Sequence, residues 1–499
     1  MPEDVSVSGL NNIETGSVFK PSHLSKIHKI DQNLKSKTEI ISMAHFEKFN
    51  FSTLEELKSK ISELGVDIRL SDDFSVFRRP VKIGSRISPN PFVVLPMEGC
   101  DSNRDGSPSE LVKRRYHRFA AGGFGLIWWE SCAIVEEGRA NELQMILTKD
   151  NVKEFAALLS DIKKTASEKY GHSTVDILQL THSGRYSRPV GHKPAPIIAQ
   201  HDPMLDPRVG LKGDEPVVSD EYLDSLVQRY VDSAVLAKEA GFDGVDIKAC
   251  HGYLMSELLA SHTREGRYGG SFENRTRLLC DTIKAVRKAV GDDFIIACRF
   301  NVFDAHPYPY GFGVDKDDFM KFDPEEAIKL VRMLCDLGVD LLSSSGGNPH
   351  YIYPQITRPF DTPNLGITTP NEHPLESIAR LFDFTRLIQK EAGEIPVIGT
   401  GYSWLRQYIP YAAAANISDG SCSLVGLGRS SLAYPDAPSD IMNKGMMDRK
   451  KCCIACSKCI QLMRDHSSSG CVVRDSEVYM PIYKQARAEA EEREKAGKK

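Results

Sequence analysis

Residues 219–252 have the sequence SDEYLDSLVQRYVDSAVLAKEAGFDGVDIKACHG, in which a helical pattern leads into a short strand and then into polar side chains. Ser219 can cap the helix, and Leu226 and Tyr230 recur on one apolar face. Gly244–Lys248 is short and mostly apolar on both faces, as a buried parallel strand is. The stretch therefore predicts one unit of a parallel α/β fold.

Seven further apolar runs of the same kind alternate with amphipathic stretches along the chain. They are Phe92–Met97, Gly125–Glu130, Val175–Leu180, Phe294–Arg299, Val339–Ser343, Ile395–Gly399 and Ser421–Gly426. Helical patterns between them include Asn274–Val290 and Pro324–Gly338. Eight buried strands separated by helices predict a (β/α)8 TIM barrel. A doubly wound sheet is the alternative, but no G-x-G-x-x-G motif follows any of these strands, which counts against a Rossmann unit.

The two ends of the chain differ from the predicted barrel. Residues 1–77 are predicted to be a polar N-terminal extension with one short helix over Ser52–Gly65. Residues 78–440 are assigned to the barrel, and residues 441–499 to a cysteine-rich segment with a charged helical tail. The last part of the tail, Lys484–Lys499, is rich in Ala, Glu, Lys and Arg, so we expect a solvated helix or a frayed end there.

The overall composition is that of a water-soluble globular protein. Of the 499 residues, 41% are hydrophobic and 26% are charged, and 63 Lys and Arg against 68 Asp and Glu give a net charge of −5. A mildly acidic chain lacks the basic patch that nucleic acid or an anionic membrane would require. No run is long enough to cross a bilayer, and Met1–Asn12 does not resemble a signal peptide. These features predict a cytoplasmic enzyme or a large binding protein.

Five of the 12 cysteines fall within one short segment of the chain. They are Cys452, Cys453, Cys456, Cys459 and Cys471. Without an export signal, disulfides are a poor explanation for this density of thiols. The segment is therefore a candidate site for a metal ion or a cluster.

Polar side chains follow the predicted strands at their C-terminal ends, where TIM barrels carry their chemistry. The third strand is followed by Gln179 and His182-Ser183-Gly184-Arg185-Tyr186, the fourth by Lys248 and His251-Gly252-Tyr253, and the fifth ends at Arg299. The seventh and eighth lead into Gly399-Thr400-Gly401 and Gly426-Leu427-Gly428-Arg429. Two glycine loops beside an arginine are typical of a phosphate site, although turns also need glycine.

The stretch from about Arg79 to Pro435 resembles the old yellow enzyme family of FMN-dependent reductases. The motifs that carry the resemblance are Leu95-Pro96-Met97, Gly125-Leu126-Ile127 with Glu130, Gln179-Leu180 with His182-Ser183-Gly184-Arg185, His251-Gly252-Tyr253-Leu254, Arg267-Tyr268-Gly269-Gly270-Ser271 with Glu273-Asn274-Arg275, and Gly428-Arg429. Residues 450–475 extend the likeness toward the 2,4-dienoyl-CoA reductase branch.

The resemblance implies an FMN lying across the top of the barrel. It assigns Pro96 and Met97 to the flavin ring, Ser131 to a place beside the ring, Gln179 to the pyrimidine edge, Arg299 to N1 and O2, and Gly401, Gly428 and Arg429 to the 5′-phosphate. A fixed guanidinium at N1 and O2 would stabilise the reduced flavin anion. For each polar residue the alternative is a structural salt bridge or cap inside the barrel.

The resemblance also implies hydride transfer from flavin N5 to an activated alkene, with a tyrosine protonating the α-carbon. His251 and Tyr253 match the second carbonyl donor and the tyrosine of the family. The first donor, usually histidine, is here Lys248, which can polarise an oxygen or hold a carboxylate, or can simply pair with Glu98. Tyr186 and His350 match the proton-relay pair of the dienoyl-CoA reductase branch, so Tyr186 is the favoured acid.

Cys453, Cys456, Cys459 and Cys471 resemble the [4Fe–4S] segment of that branch. The spacing departs from the family, because two residues instead of three separate the second and third cysteines, and Cys452 could supply a ligand in another register. A zinc site and the absence of any metal are the two alternatives.

The resemblance further predicts what the site works with. We expect a small unsaturated substrate (an enone, enoate or enoyl thioester), NAD(P)H as electron donor, and a homo-oligomer. Larger family members carry FAD and NAD(P) domains after the cluster. The chain continues from Arg474 only to Lys499, so we expect these domains to be absent and a cluster to need a separate electron-transfer protein. An amine-oxidising flavoprotein of the trimethylamine dehydrogenase kind, or an FMN-binding protein without this activity, is the alternative.

Overall fold

The computed structural model describes residues 46–351, 358–367 and 369–496. Most of the predicted N-terminal extension lies outside these residues. Its predicted helix is present as α1, Leu54–Leu64. The Thr53 side chain and Glu56 form a reciprocal capping box at its start, and Gly65 ends it with φ 64°.

Eight parallel strands close into a barrel, which confirms the predicted TIM barrel over the doubly wound alternative. The strands are β3 (Phe92–Val94), β4 (Leu126–Ala133), β5 (Val175–Thr181), β6 (Gly244–Ile247), β7 (Ile295–Phe303), β8 (Leu341–Gly346), β9 (Val397–Gly399) and β10 (Leu424–Leu427). The strands follow one another around the barrel in chain order, and β10 pairs with β3 to close it. Each of the eight predicted apolar runs therefore overlaps one barrel strand, although several strands extend past the end of the run.

Helices cover the outside of the barrel and close the connections between strands. They are α2 (Glu110–Ala121), α3 (Val152–Tyr170), α4 (Asp220–Ala240), α5 (Leu254–Leu259), α6 (Phe272–Val290), α7 (Glu325–Asp336), α8 (Pro374–Ala392), α9 (Ile409–Ser418), α10 (Arg429–Ala433), α11 (Ala437–Lys444), α12 (Lys458–Arg464) and α13 (Ser476–Ala496). In α4 the Ser219 side chain accepts from the Tyr222 amide, and Gly241 ends the helix with φ 93°. No described helix is long and apolar enough to span a membrane.

A hairpin that the sequence did not predict closes the N-terminal end of the barrel. Its strands are β1 (Val81–Ile83) and β2 (Arg86–Ser88). Ile83 joins the apolar core inside the barrel, and Arg86 pairs with Asp243 just before β6 at 2.9 Å. The hairpin leaves the opposite end, where the strands terminate, available for a site.

The cysteine-rich segment returns to the C-terminal ends of the strands. The Ser469 amide donates to the Gly99 carbonyl at 2.6 Å, and Asp475 pairs with Arg114 on α2 at 2.7 Å. The helix that follows, α13, begins earlier than the predicted tail, and Tyr479 and Ala486 on one of its faces are buried. The tail is thus not a purely solvated helix, since this face packs against the protein.

Candidate active site

A cavity of about 520 Å³ opens at the C-terminal ends of the barrel strands. The loops after β3, β4, β5, β6, β8, β9 and β10 contribute to its wall, and β7 contributes Arg299 from within the strand. Every catalytic and flavin-binding residue predicted from the sequence lines it, except Ser131: Pro96, Met97, Gln179, Tyr186, Lys248, His251, Tyr253, Arg299, His350, Gly401, Gly428 and Arg429. The strand ends therefore bring together residues that are more than 300 positions apart in the sequence, as the barrel topology requires.

Ser131 lies behind the wall and supports two residues in it. Its hydroxyl donates to Gln179 Oε1 at 2.6 Å and accepts from Lys248 Nζ at 2.7 Å. Gln179 Nε2 in turn donates to the buried Asp246 carboxylate at 2.6 Å. Burial raises the pKa of Asp246 to about 7. The chain of hydrogen bonds fixes the Gln179 amide and the Lys248 ammonium at one end of the cavity.

Lys248 pairs with Glu98, which is one of the two roles that the sequence suggested for this lysine. The distance from Lys248 Nζ to Glu98 Oε1 is 3.0 Å. The Tyr253 hydroxyl lies within 3.0 and 3.1 Å of the two oxygens of the same carboxylate, and Lys248 Nζ lies 4.0 Å from the Tyr253 ring centre. Burial and the Glu98 charge both raise the pKa of Tyr253 well above its usual value. Since the hydroxyl proton of Tyr253 is held by a carboxylate, this tyrosine is a poor proton donor to a substrate.

His251 presents a neutral imidazole to the cavity. Burial, with the neighbouring Arg299 and Lys248 charges, lowers the pKa of His251 well below its usual value. Its Nε2 is 3.0 Å from the Ser345 hydroxyl, and its φ of 67° is in the left-handed region that non-glycine residues seldom adopt. Backbone strain of this kind is common where a side chain is held for function.

Tyr186 and His350 stack against each other next to Tyr253, whose ring centre lies 6.3 Å from that of Tyr186. Their ring centres are 3.5 Å apart and the planes differ by 18°. The Tyr186 hydroxyl is buried and has no hydrogen-bond partner within the described part of the chain. Burial raises the pKa of Tyr186 well above its usual value, and burial next to Arg464 lowers the pKa of His350 to about 3. The pair therefore offers a protonated phenol beside a neutral imidazole.

The residues present fit an FMN. Arg299 Nε and Arg429 Nη1 are buried donors with no hydrogen-bond partner among the described residues, so each needs an acceptor. Gly401 has φ 99°, and a Cβ there would lie 3.0 Å from Leu381. Two cations, two glycine loops and a cavity in the size range of small-ligand sites match a flavin with a phosphate.

Sequence reasoning missed the arginines that line the cavity away from the strand ends. Arg188 follows Tyr186 by two residues, Arg208 lies in the connection between β5 and α4, and Arg464 ends α12. Arg358 also lines the wall, and burial beside Arg429 lowers the pKa of this guanidinium to about 9. Only Arg188 had a local signal, its closeness to the Tyr186 motif, because the others reach the cavity through tertiary packing.

The four cysteines predicted to ligate a metal line a second, much smaller cavity. Cys453, Cys456, Cys459 and Cys471 surround a space of about 20 Å³. Cys452 does not line it, and its thiol instead points to the Asp448 carbonyl at 3.4 Å. Arg429 lines both this space and the large cavity.

The predicted metal centre itself is not shown. Among the described residues, no group of three or more His, Cys, Asp and Glu side chains is arranged to hold a metal ion. One zinc would need all four sulfurs about 2.3 Å from a single point, so the zinc alternative has no support here. In a cubane cluster each cysteine sulfur binds a different iron, so the four cysteine sulfurs lie farther apart than they do around a single zinc ion.

Comparisons with known proteins identify the family of the chain. The model of the "NADH:flavin oxidoreductase / NADH oxidase family" matches residues 75–316. The chain is 31% identical over 298 residues to an NADPH dehydrogenase of Listeria monocytogenes, covering 59% of this chain and 79% of that protein. It is 27% identical over 391 residues to an NADH oxidase of Thermoanaerobacter brockii (75% of this chain, 52% of that protein) and 26% identical over 428 residues to a cinnamate reductase of Clostridium sporogenes (81% and 58%).

The fold is shared with solved structures. A 2-naphthoyl-CoA reductase in complex with 2-naphthoyl-CoA superimposes with a TM-score of 0.63 at 21% identity, covering 80% of this chain and 57% of that one. The chain thus spans little more than half the length of several proteins that it matches. The resemblance read from the strand-end motifs is confirmed: the chain belongs to the NADH:flavin oxidoreductase / NADH oxidase family, that of the old yellow enzymes.

Proposed function

We propose that the chain uses FMN and NAD(P)H to reduce an electron-poor C=C bond. The observation that carries this proposal is the Tyr186 hydroxyl, which is buried at the cavity and has no hydrogen-bond partner in the described part of the chain. A buried phenol without an acceptor is costly unless a ligand supplies one. A proton donor held beside carbonyl-binding groups is what protonation of an enolate-like anion requires.

The FMN would be held chiefly at Arg429 and Arg299, each of which has a buried donor atom without a partner among the described residues. Arg429 Nη1 and the glycine loops at Gly401 and Gly428 would bind the phosphate, and Arg299 would face the pyrimidine ring with the Gln179 amide. Bound there, FMN would supply the hydride. Arg429 Nη2 already donates to the Pro359 carbonyl at 2.6 Å, so its second nitrogen is oriented for an anion.

The oxygen of the activating carbonyl would be stabilised by His251 and Lys248. His251 is neutral and can donate one hydrogen bond. Lys248 has three N–H groups, of which Glu98 and Ser131 take two, and the third remains for a substrate oxygen. Since Glu98 already balances the lysine charge, Lys248 acts as a hydrogen-bond donor more than as a free cation.

Tyr186 is favoured over Tyr253 as the acid for an electrostatic reason. Loss of the proton leaves a phenolate. Burial, and to a smaller extent Glu257 and Asp202, raise the pKa of Tyr186, while the positive charges of Arg185 and Arg208 lower it, and no carboxylate among the described residues accepts its hydroxyl proton in a hydrogen bond. At Tyr253 the nearest charge is the Glu98 carboxylate, which raises the pKa further. The phenolate left by proton transfer is therefore better tolerated at Tyr186.

The four grouped cysteines support a proposal for electron supply. We propose that they bind a [4Fe–4S] cluster, with Arg429 lying between the cluster and the flavin phosphate. Anaerobically reconstituted protein should then hold about four iron and four sulfide per chain. Cys456→Ser should lose them and keep FMN, whereas Cys335→Ser, at the end of α7, should keep both. If neither the parent protein nor Cys335→Ser binds iron after reconstitution, the cluster is excluded.

The proposed reaction is tested in two separate halves. FMN-loaded protein is reduced anaerobically by NAD(P)H and then mixed with an enone or an unsaturated acid, and in a separate experiment the oxidised protein is mixed with an amine. Reoxidation by the alkenes with formation of the saturated product supports the proposal. Reduction of the oxidised flavin by the amine, without reoxidation by any alkene, would select the amine-oxidising alternative. Arg429→Ala should weaken FMN binding about ten- to a hundredfold, and the exposed Arg332→Ala should not.

A further inference from the structure

The cavity wall carries a large excess of positive charge. Six arginines and Lys248 line it, and Glu98 is the one carboxylate among the described residues that do so. Glu98 is paired with Lys248, so within the described residues no carboxylate of the wall balances Arg188, Arg208 or Arg464. A phosphate near Arg429 would balance part of this charge. The remainder calls for another anion.

Three of these arginines surround the Tyr186–His350 stack. Arg208 donates to the His350 carbonyl at 2.7 Å, and the charges of Arg188, Arg208 and Arg464 all act on the His350 ring. Within the described residues none of the three forms an ion pair. The Arg188 side chain contacts His466 Nε2 at 2.8 Å, and the Arg464 side chain makes no hydrogen bond to any described residue. We name Arg188, Arg208 and Arg464 the arginine rim.

Burial destabilises two positive charges of the arginine rim. Burial lowers the pKa of Arg188, and burial together with the Arg208 charge lowers the pKa of Arg464, which means that the cationic forms are destabilised. Like charges held close together without a counter-ion are stabilised when an anion binds between them. Ile460 and Met463 line the same part of the wall and offer apolar contact next to the charges.

We propose that the arginine rim binds an anionic group of the substrate, either the carboxylate of an unsaturated acid or a phosphate of a carrier thioester. The inference rests on the proposed function, because it places the substrate's charged end beside Tyr186. An anion at the rim would leave the apolar part of the substrate facing Met463 and its alkene facing the flavin position. Arg464, whose side chain makes no hydrogen bond or ion pair within the described residues, would make the strongest interaction.

The test measures binding to oxidised, FMN-loaded protein without turnover. Perturbation of the flavin absorbance gives the Kd of 3-phenylpropenoate, of its CoA thioester and of its uncharged methyl ester. Arg464→Gln should raise the Kd of the anionic ligand about tenfold and leave that of the ester within about twofold. Arg208→Gln should have a smaller effect, since this side chain is exposed and screened by solvent. Arg229→Gln, on the exposed face of α4, is the charge-matched control and should change neither.

The pattern of losses identifies the anion. If Arg464→Gln loses affinity for the acid, the arginine rim binds a carboxylate. If it loses affinity for the thioester alone, the rim binds the phosphates of the carrier. Parent affinity for both anions in Arg464→Gln, or an equal loss for the ester, would overturn the proposal. The proposal would also be overturned if Arg464→Gln weakened the binding of a non-reducing analogue of NAD(P)H, measured in the same way, and of no other ligand. As a second measurement on the parent protein, added salt should weaken the anionic ligand and not the ester. An acid that binds through the rim but does not reoxidise the reduced flavin would refute the proposed reaction and leave this inference standing.

Discussion

Two neighbouring tyrosines of the cavity wall have opposite surroundings, although their ring centres are 6.3 Å apart. On what we call the closed side, Tyr253 donates a hydrogen bond to Glu98, which is itself paired with Lys248. On what we call the open side, the Tyr186 hydroxyl has no hydrogen-bond partner among the described residues, and the Tyr186 ring stacks on His350. The first arrangement is a closed hydrogen-bond network that stabilises the wall. The second is an open donor, held in place by its ring and by nearby cations. A side chain's availability, more than its type, therefore indicates its role here.

Replacing the two tyrosines should give the largest difference between the sides. Tyr186→Phe should slow the reoxidation of reduced flavin by alkene about 10²–10⁴-fold, the usual cost of losing a general acid. Tyr253→Phe should slow it less than about tenfold, because its hydroxyl is occupied by Glu98. Stopped-flow absorbance follows both half-reactions, and flavin reduction by NAD(P)H should be unchanged in both variants. A larger loss in Tyr253→Phe would reverse the assignment.

Substitutions in the closed network should mainly affect stability. Glu98→Gln leaves the buried Lys248 ammonium without its counter-charge, and breaking a buried pair in this way costs about 3–5 kcal/mol. The free energy of unfolding, measured with urea on the FMN-loaded protein, should fall by an amount near the lower end of that range because Glu98 is partly exposed.

The matched double variant makes this stability test specific. Lys248→Met in the Glu98→Gln background removes the stranded cation, so much of the lost stability should return. By contrast, Tyr186→Phe should change the unfolding free energy by less than about 1 kcal/mol, since it removes a hydroxyl that makes no described hydrogen bond. Additive losses in the double variant would show that Lys248 and Glu98 do not act as a pair.

The fold could be predicted because its signals are local. The runs at β3 to β10 are apolar on both faces, and residues such as Ser219, Gly241 and Gly65 cap helices through contacts with their own neighbours. The hairpin β1–β2 was missed because strands of three residues carry no periodicity. Its place in the barrel depends on long-range pairing.

The candidate site could be predicted only where the residues follow strand ends. Gln179, Lys248 and Arg299 have that position, and they all line the cavity. Arg208 and Arg464 reach it from a long connection and from the C-terminal segment, so their place is fixed by tertiary packing alone. The pairing of Glu98 with both Lys248 and Tyr253 likewise depends on how two strand ends meet.

The smallest expected effect is that of pH on the open side. Tyr186 donates its proton only when protonated, and its raised pKa keeps it protonated at higher pH than an ordinary tyrosine. An ordinary tyrosine, with a pKa of about 10, would be roughly three-quarters ionised at pH 10.5. His350 has a pKa of about 3 and so remains neutral above about pH 4. Neither group therefore changes its charge between pH 5.5 and 10.5.

The rate of reoxidation by alkene should therefore stay constant within about twofold from pH 5.5 to 10.5, measured by stopped flow with saturating substrate. The same profile in Tyr186→Phe corrects for titration of the flavin and the substrate. A fall in the parent alone with an apparent pKa near 10 would show that water reaches the Tyr186 hydroxyl. A fall near pH 6.5 would show that His350 titrates like an exposed histidine. Either result would remove the distinction between the open side and the closed side, because solvent would then supply the partner that Tyr186 lacks.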